Sequence, residues 1–384
     1  MSLRNSCRVS HATPPRRRGG DAVVRLAMRV LGLVVIVALA GAPAAAQTRG
    51  ARLLLGLRTP TVGEVRGGTL AVIDPAAGKI VGRLPMGGSP RGMTASADGK
   101  ILYAINTAGE AGEVMLVVDV ATGKETRRIP LTGSRPQDAL FAGGKVYFSA
   151  AGRKAIGRYD PARNQTEWLS TGEHMVRMMV ANEKTDTIFA TSQSTRSVVI
   201  LENASANPSD VRRTVVPLGH EGEDITMSPD GREIWTANRD VSGATIVDVA
   251  SKKVVQTVLV PATHANRLAF APDGRHVLLV DRDTGETIVL SAAARKEIRR
   301  IPPDKAGPKD LRGAGDVLMA PDGSRAFVTI HDNLDDGSRN AQDRPLPAPG
   351  GRHYLAVIDL KTLEVTGRIP TDLPGDEMAW AELR

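Results

Sequence analysis

The sequence predicts an all-β fold, a seven-bladed β-propeller with one-plus-three strand closure. Three observations carry this expectation. A short apolar strand that usually ends in Asp recurs seven times at a spacing of about 48 residues, within the range of propeller blades. Each copy has a companion strand running into a tight Asp-Gly-like turn. The two ends of the chain supply complementary fractions of one of these units.

Taken in order, the recurring strand is Ala-Val-Ile-Asp (71–74), Val-Val-Asp (117–119), Gly-Arg-Tyr-Asp (157–160), Val-Val-Ile-Leu (198–201), Ile-Val-Asp (246–248), Ile-Val-Leu (288–290) and Ala-Val-Ile-Asp (356–359). It is strand c of a four-stranded unit. Strand a precedes the turn, as in Gly92 to Ser96, and strand b follows it, as in Ile101 to Asn106. Strand d resembles Thr126-Arg127-Arg128-Ile129-Pro130. The turns are Asp98-Gly99, Gly143-Gly144, Asp230-Gly231, Asp273-Gly274 and Asp322-Gly323, residue types that accept the left-handed backbone of a tight hairpin. The fourth copy, Asn182-Glu183-Lys184, lacks the glycine. The chain enters on a b-like strand, Leu53–Leu57, and leaves on an a-like strand, Met378–Ala381. Pairing those two closes the ring and hides its edges.

Residues 1–46 read as a leader. Met28-Arg29, the apolar run Val30 to Ala42 and Ala44-Ala45-Ala46 form a secretory signal pattern with cleavage before Gln47, and Met28 is a possible true start. The run is too short to span a bilayer comfortably, so no stable membrane insertion is expected after its removal. This leaves residues 47–384 as the propeller, exported to the periplasm or secreted. Most of the formal charge of +8 also belongs to the leader, which holds seven of the 50 basic and one of the 42 acidic residues. What remains is near neutral and 3% aromatic over the whole chain, which removes the case for nucleic-acid binding. The single cysteine, Cys7, lies in the leader. The remainder therefore has no disulfide, thiolate metal site or haem-attachment motif, and no cofactor is implied.

The segment Ser228-Pro229-Asp230-Gly231-Arg232-Glu233-Ile234-Trp235-Thr236-Ala237-Asn238, with Val72-Ile73-Asp74 and Arg368-Ile369-Pro370, resembles the YVTN-type β-propeller repeat family. The resemblance covers the whole expected mature chain, apart from the degenerate turn of blade 4 and a loop in blade 7. It implies an extracytoplasmic propeller. Relatives in fold include lactonases and quinoprotein or haem dehydrogenases, and fold alone does not choose among them.

Candidate functional positions emerge where the copies differ. The d-to-a and b-to-c loops share one face and carry His174, His220, His264, His331 and His353, while His276 lies on the other. Aligned on their turns, the a strands place Gly92, Asp138, Arg177, Asp224, Arg267, Asp316 and Glu377 at one position, with apolar neighbours after it. Strand a is innermost, so these charges should ring the channel mouth. Alternating signs would neutralise one another. His174-Met175-Val176-Arg177 and His264-Ala265-Asn266-Arg267 share one spacing, and His220-Glu221-Gly222-Glu223-Asp224 lies between them. Two guanidinium groups around a carboxylate and imidazoles suit a carboxylate or phosphate ligand. The candidate site is thus His174, Arg177, His220, Glu221, Asp224, His264, Arg267, Asp316 and His331. Catalytic residues are not identified, and no metal is assigned, because no local motif makes His174, His220, His264 and Glu221 converge. The insertion at 331–353 lies on the same face and suggests a cap over the mouth.

There is no phosphate loop or nucleophile elbow. The expected function is a non-catalytic ligand- or protein-binding scaffold, its partner an unknown protein or small anionic ligand. The alternatives are a lactonase- or isomerase-type enzyme acting on a small acidic substrate, and an accessory subunit of a periplasmic redox system.

Overall fold

The computed structural model describes residues 50–57, 68–86, 90–107, 113–303, 313–331 and 353–382. The expected leader, and residues 332–352 of the blade 7 insertion, lie outside them. Seven antiparallel four-stranded sheets account for 28 strands, each sheet running a, b, c, d from the axis outward. The inner strands of blades 1 to 7 are Gly375–Glu382, Pro90–Ala95, Ala139–Ala142, Val176–Asn182, Gly222–Met227, Ala265–Phe270 and Ala314–Met319. The predicted closure is present: the C-terminal strand pairs with Ala51–Leu57 in the register Leu53↔Trp380 and Leu55↔Met378. The same strand Ala51–Leu57 then pairs with Thr69–Asp74.

Burial explains the pattern of the repeat. Strands b and c are apolar on both faces because each is sandwiched between neighbouring blades, as in Ile101–Asn106 and Val114–Asp119. Strand d is the sheet edge and alternates or is exposed, as in Lys79–Pro85 and Lys124–Pro130, with charged side chains that discourage further pairing. Seven apolar clusters result, one at each interface between successive blades. Between blades 5 and 6, for example, Trp235 packs edge-on against Phe270 at 5.6 Å. Each blade is thus stabilised mainly by its two neighbours, which is why closing the ring matters.

The Asp that ends strand c has a local cause. Its carboxylate accepts backbone N–H groups of the following turn: Ala76 and Ala77 at Asp74, Thr122 at Asp119, Ala162 and Arg163 at Asp160, Ser251 at Asp248, Lys361 and Thr362 at Asp359. Four residues later the backbone turns left-handed, with φ +67° at Gly123, +55° at Lys252 and +54° at Leu363. Blade 4, which lost its a-to-b glycine, makes that turn with a short 3-10 segment, Glu183–Thr185, ended by Asp186 at φ +48°.

Candidate functional site

The channel lining begins with a bulge. In blades 2, 4, 5, 6 and 7 the pairing of strands a and b shifts register across Pro90/Met93, Val176/Met179, Gly222/Asp224, Ala265/Arg267 and Ala314/Val317. A bulge frees backbone N–H groups and re-aims the side chains beside it. Hydroxyls on strand b take up the freed groups. Ser149 Oγ accepts from the N–H of Gln137 and Asp138, Thr191 Oγ1 from Met178, and Thr329 Oγ1 from Gly315 and Asp316 at 2.9 and 2.7 Å. Two consecutive polar positions can then face the channel where a regular strand would offer one. The first reads Arg91, Gln137, Val176, Glu223, Asn266, Gly315 and Asp376 around the ring; the second is the aligned charged position predicted from the sequence.

The charges of that second position do not pair with their ring neighbours as expected. The three aspartates act as latches between blades. Asp138 Oδ2 accepts the backbone N–H of Met179 in blade 4 at 2.8 Å. Asp224 Oδ2 accepts that of Leu268 in blade 6 at 2.9 Å, and Asp316 Oδ2 that of Met378 in blade 1 at 2.9 Å. Arg267 instead reaches past blade 7 to ion-pair with Glu377. Arg177 pairs with Glu223, whose other oxygen accepts from Gln193 Nε2 at 2.9 Å. Alternation of sign along the sequence thus becomes a division of labour: acids bind the next backbone, arginines bind two acids out of register. Blade 2 has a glycine here, and its backbone comes close enough to blade 3 for Gly92 N–H to donate to the Gln137 carbonyl. A Cβ on Gly92 would lie 2.3 Å from the Cα of Asp138.

Burial sets the electrostatics. Asp138, Asp224 and Arg267 are 8%, 7% and 8% exposed. Desolvation pushes Asp224 up to about 6, against the pull of Arg267 and of its backbone donors. Desolvation, with the charge of Glu377, raises Asp138 and Asp316 well above the carboxylate range. Burial opposes the charge of Arg267, but Glu377, Asp224, Asp316 and Glu223 outweigh it and hold its pKa well above the usual value. Arg177 is shifted down by burial and by Arg267, Arg239 and Arg91, with Glu223 opposing. Arg267 Nε and Nη1 and Arg177 Nε are buried donors that no acceptor among the described residues reaches.

The histidines are placed by the ends of strand b. Ser192 Oγ donates to the His174 carbonyl at 2.6 Å, next to Met175 at φ +52°, and the His174 side chain is exposed. Asp281 accepts the N–H groups of Thr263 and His264 at 2.7 and 3.2 Å, which fixes the loop carrying His264. His264 Nδ1 lies 3.9 Å from Asp283, its Nε2 is buried without a partner among the described residues, and desolvation lowers its pKa. His220 Nδ1 lies 3.8 Å from Asp240. Glu221 is 3.5 Å from Arg196 of blade 4, which also reaches Asp240. His331 sits beside Gly313, and His353 proves to be the first residue of strand c in blade 7, 2% exposed, rather than part of a loop. His276, the first residue of strand b in blade 6 rather than part of the turn, meets Asp273 of that turn at 3.3 Å.

Arg177, Asp224, Arg267 and Asp316 therefore line one electrostatically coupled collar. His174, His220 and Glu221 belong to separate contacts on the same face. Among the described residues, no three His, Cys, Asp or Glu side chains come together as ligands for a metal ion. Glu223, Gln193 and Glu377 are absent from the residue set chosen from the sequence. The aligned copies did carry a signal for Glu223, because the position before the charged one is polar in most blades.

No protein-family model matches the sequence. No curated protein matches it. Among solved structures the chain is similar to a candidate 6-phosphogluconolactonase of Bacteroides uniformis, with a TM-score of 0.63 and 14% identity over 86% of this chain and 99% of that one. It is also similar to apo AztD of Citrobacter koseri, with a TM-score of 0.59 and 10% identity over 86% and 98%. A third similarity, to Kuenenia stuttgartiensis hydrazine synthase, has a TM-score of 0.51 and 12% identity over 62% and 67%. These likenesses place the chain in the seven-bladed β-propeller fold.

Proposed function

We propose that the protein is an exported, non-catalytic binding propeller of the YVTN type, whose ligand is a small carboxylate-bearing molecule held at the channel mouth. One observation carries the reading: Arg267 is more than nine-tenths buried, yet two of its three nitrogens meet no acceptor among the described residues. A buried guanidinium is costly unless its donors are satisfied, and a carboxylate is their natural complement. Arg177 Nε, also buried without a partner among the described residues, adds a donor on the same face.

Hydrolysis of a lactone would need a base and an acid converging on one substrate. His220 and His264 each face a different aspartate, and Arg177 and Arg267 are each engaged by a carboxylate. This favours binding over turnover, although one structural neighbour carries a lactonase name. Export rests on the leader pattern of residues 28–46. Among the described residues no helix is long and apolar enough to cross a membrane.

The test is a thermal-shift screen of the full chain against small carboxylates and lactones. Carboxylates should raise Tm, and Arg267→Lys, which removes the free donors and keeps a charge for Glu377, should abolish the rise. Release of an acid from any lactone in the screen would overturn the non-catalytic reading. No shift with any ligand would overturn the site.

A further inference from the structure

Building on that reading, we infer that the channel mouth takes a zwitterion, a molecule with a carboxylate and an ammonium group a few bonds apart, the carboxylate on Arg267 and the ammonium on the ring of Asp138, Asp224 and Asp316. The collar's composition leads there. Its acids are Asp138, Glu223, Asp224, Asp316, Asp376 and Glu377; its bases are Arg91, Arg177 and Arg267, of which Arg177 holds Glu223 and Arg267 holds Glu377. Arg267 feels Glu377, Asp224, Asp316 and Glu223 together, so an anion bound to its free donors enters the field of four carboxylates. Like charges brought together away from bulk water repel strongly. A ligand that carries its own positive charge relieves this repulsion and uses both halves of the site.

The aspartates have capacity for that charge. A carboxylate can accept about four hydrogen bonds. The latch at Asp138 uses one, and the backbone bonds at Asp316 use two, from Val317 and Met378. Asp224 is held by Leu268 and Ile225. The latches also fix the three carboxylates before any ligand arrives, in alternate blades, so little is lost to ordering them on binding.

A pH signature separates the two ligand classes. Asp224 faces Arg267 of blade 6, Glu377 of blade 1, Asp138 of blade 3 and Asp316 of blade 7, and burial raises it to about 6. An ammonium group binds its ionised form, so a zwitterion binds more tightly at pH 7.5 than at pH 5. A bare anion prefers the protonated collar and shows the reverse.

The experiment is isothermal titration of the full chain at both pH values with glycine, β-alanine and γ-aminobutyrate, against acetate, butyrate and n-butylammonium. At least one amino acid should bind more tightly than every singly charged probe, and more tightly at pH 7.5. Asp224→Asn keeps an oxygen for the Leu268 latch; it should weaken the amino acid about tenfold and leave butyrate unweakened. Butyrate binding as tightly as γ-aminobutyrate overturns the zwitterion and leaves the carboxylate site standing. Tight binding of n-butylammonium alone, or of no probe, overturns both.

Discussion

Two sets of aspartates in this protein make the same bond and meet opposite fates. At the ends of the c strands, Asp74, Asp119, Asp248 and Asp359 accept backbone N–H groups of a turn near solvent; the Thr122 and Ser251 hydroxyls at Asp119 and Asp248, and those backbone bonds, hold the four pKa values below the usual range. In the channel, Asp138, Asp224 and Asp316 also accept backbone N–H groups, yet their pKa values are raised, because desolvation outweighs the bonds. A hydrogen bond to backbone therefore does not by itself decide a carboxylate's charge. The water removed around it does. The turn aspartates are structural at neutral pH in their charged form, while the collar aspartates are held close to protonation, where a ligand or counter-charge changes their state.

The contrast can be broken at its centre. Arg267→Ala would leave the half-buried Glu377 beside three raised aspartates with its cation gone, a change expected to cost about 3–5 kcal/mol. Urea denaturation would measure it, and the loss should shrink in the double variant with Glu377→Gln. If Arg267→Ala costs no more than an ordinary surface change, the collar is hydrated and the burial argument fails.

Asp224→Asn keeps an oxygen for the Leu268 latch and removes the ionisation. With its folded pKa near 6 and an unfolded value near 4, wild-type Asp224 contributes stability that is present below about pH 4 and lost as pH rises through 6. The variant should therefore gain roughly 2–3 kcal/mol over wild type at pH 7.5 and little at pH 4. Denaturation curves at the two pH values decide the sign. Asp359 runs the other way: its lowered pKa contributes stability above the unfolded value that disappears as pH falls through the folded one.

Gly92→Ala places a methyl against the backbone of Asp138, where no side chain can yield, and should cost about 1–3 kcal/mol. An unchanged Tm would mean that the inner strands of blades 2 and 3 separate easily. The smallest effect belongs to the turn set. Asp359→Ala loses bonds from Lys361 and Thr362 in a wet turn and should cost about 1 kcal/mol.

Much of the fold was legible because the copies repeat what burial demands. Strands b and c are apolar on both faces, strand d is charged at its edge, and Asp and Gly mark the turns. The one-plus-three closure was legible for the same reason, since the fragments at the two ends are recognisable parts of one unit. The charged collar position could also be found by aligning the copies, with Arg177, Asp224, Arg267 and Asp316 among its members. Which of them pair could not. A bulge turns one inward position into two, and that brought in Glu223, which a strict alternation of inward and outward residues conceals. The choice of Glu221 over Glu223 follows from the same blind spot: Glu221 lies in the loop beside Arg196, and Glu223 lies in the channel on Arg177.

Sequence alone thus determined the blade count, the order of strands, the closing pair and the ring position where charge accumulates. Each depends on local chemistry, the period of apolar residues and the backbone needs of turns, repeated often enough to be read. Only the tertiary structure decided which charges meet. Arg267 joins Glu377 past an intervening blade, Asp138 joins Met179 across a blade boundary, and His220 and His264 face different aspartates. Those outcomes depend on bulges, on distances across a channel and on how much water reaches each carboxylate, quantities that exist only once the ring has closed.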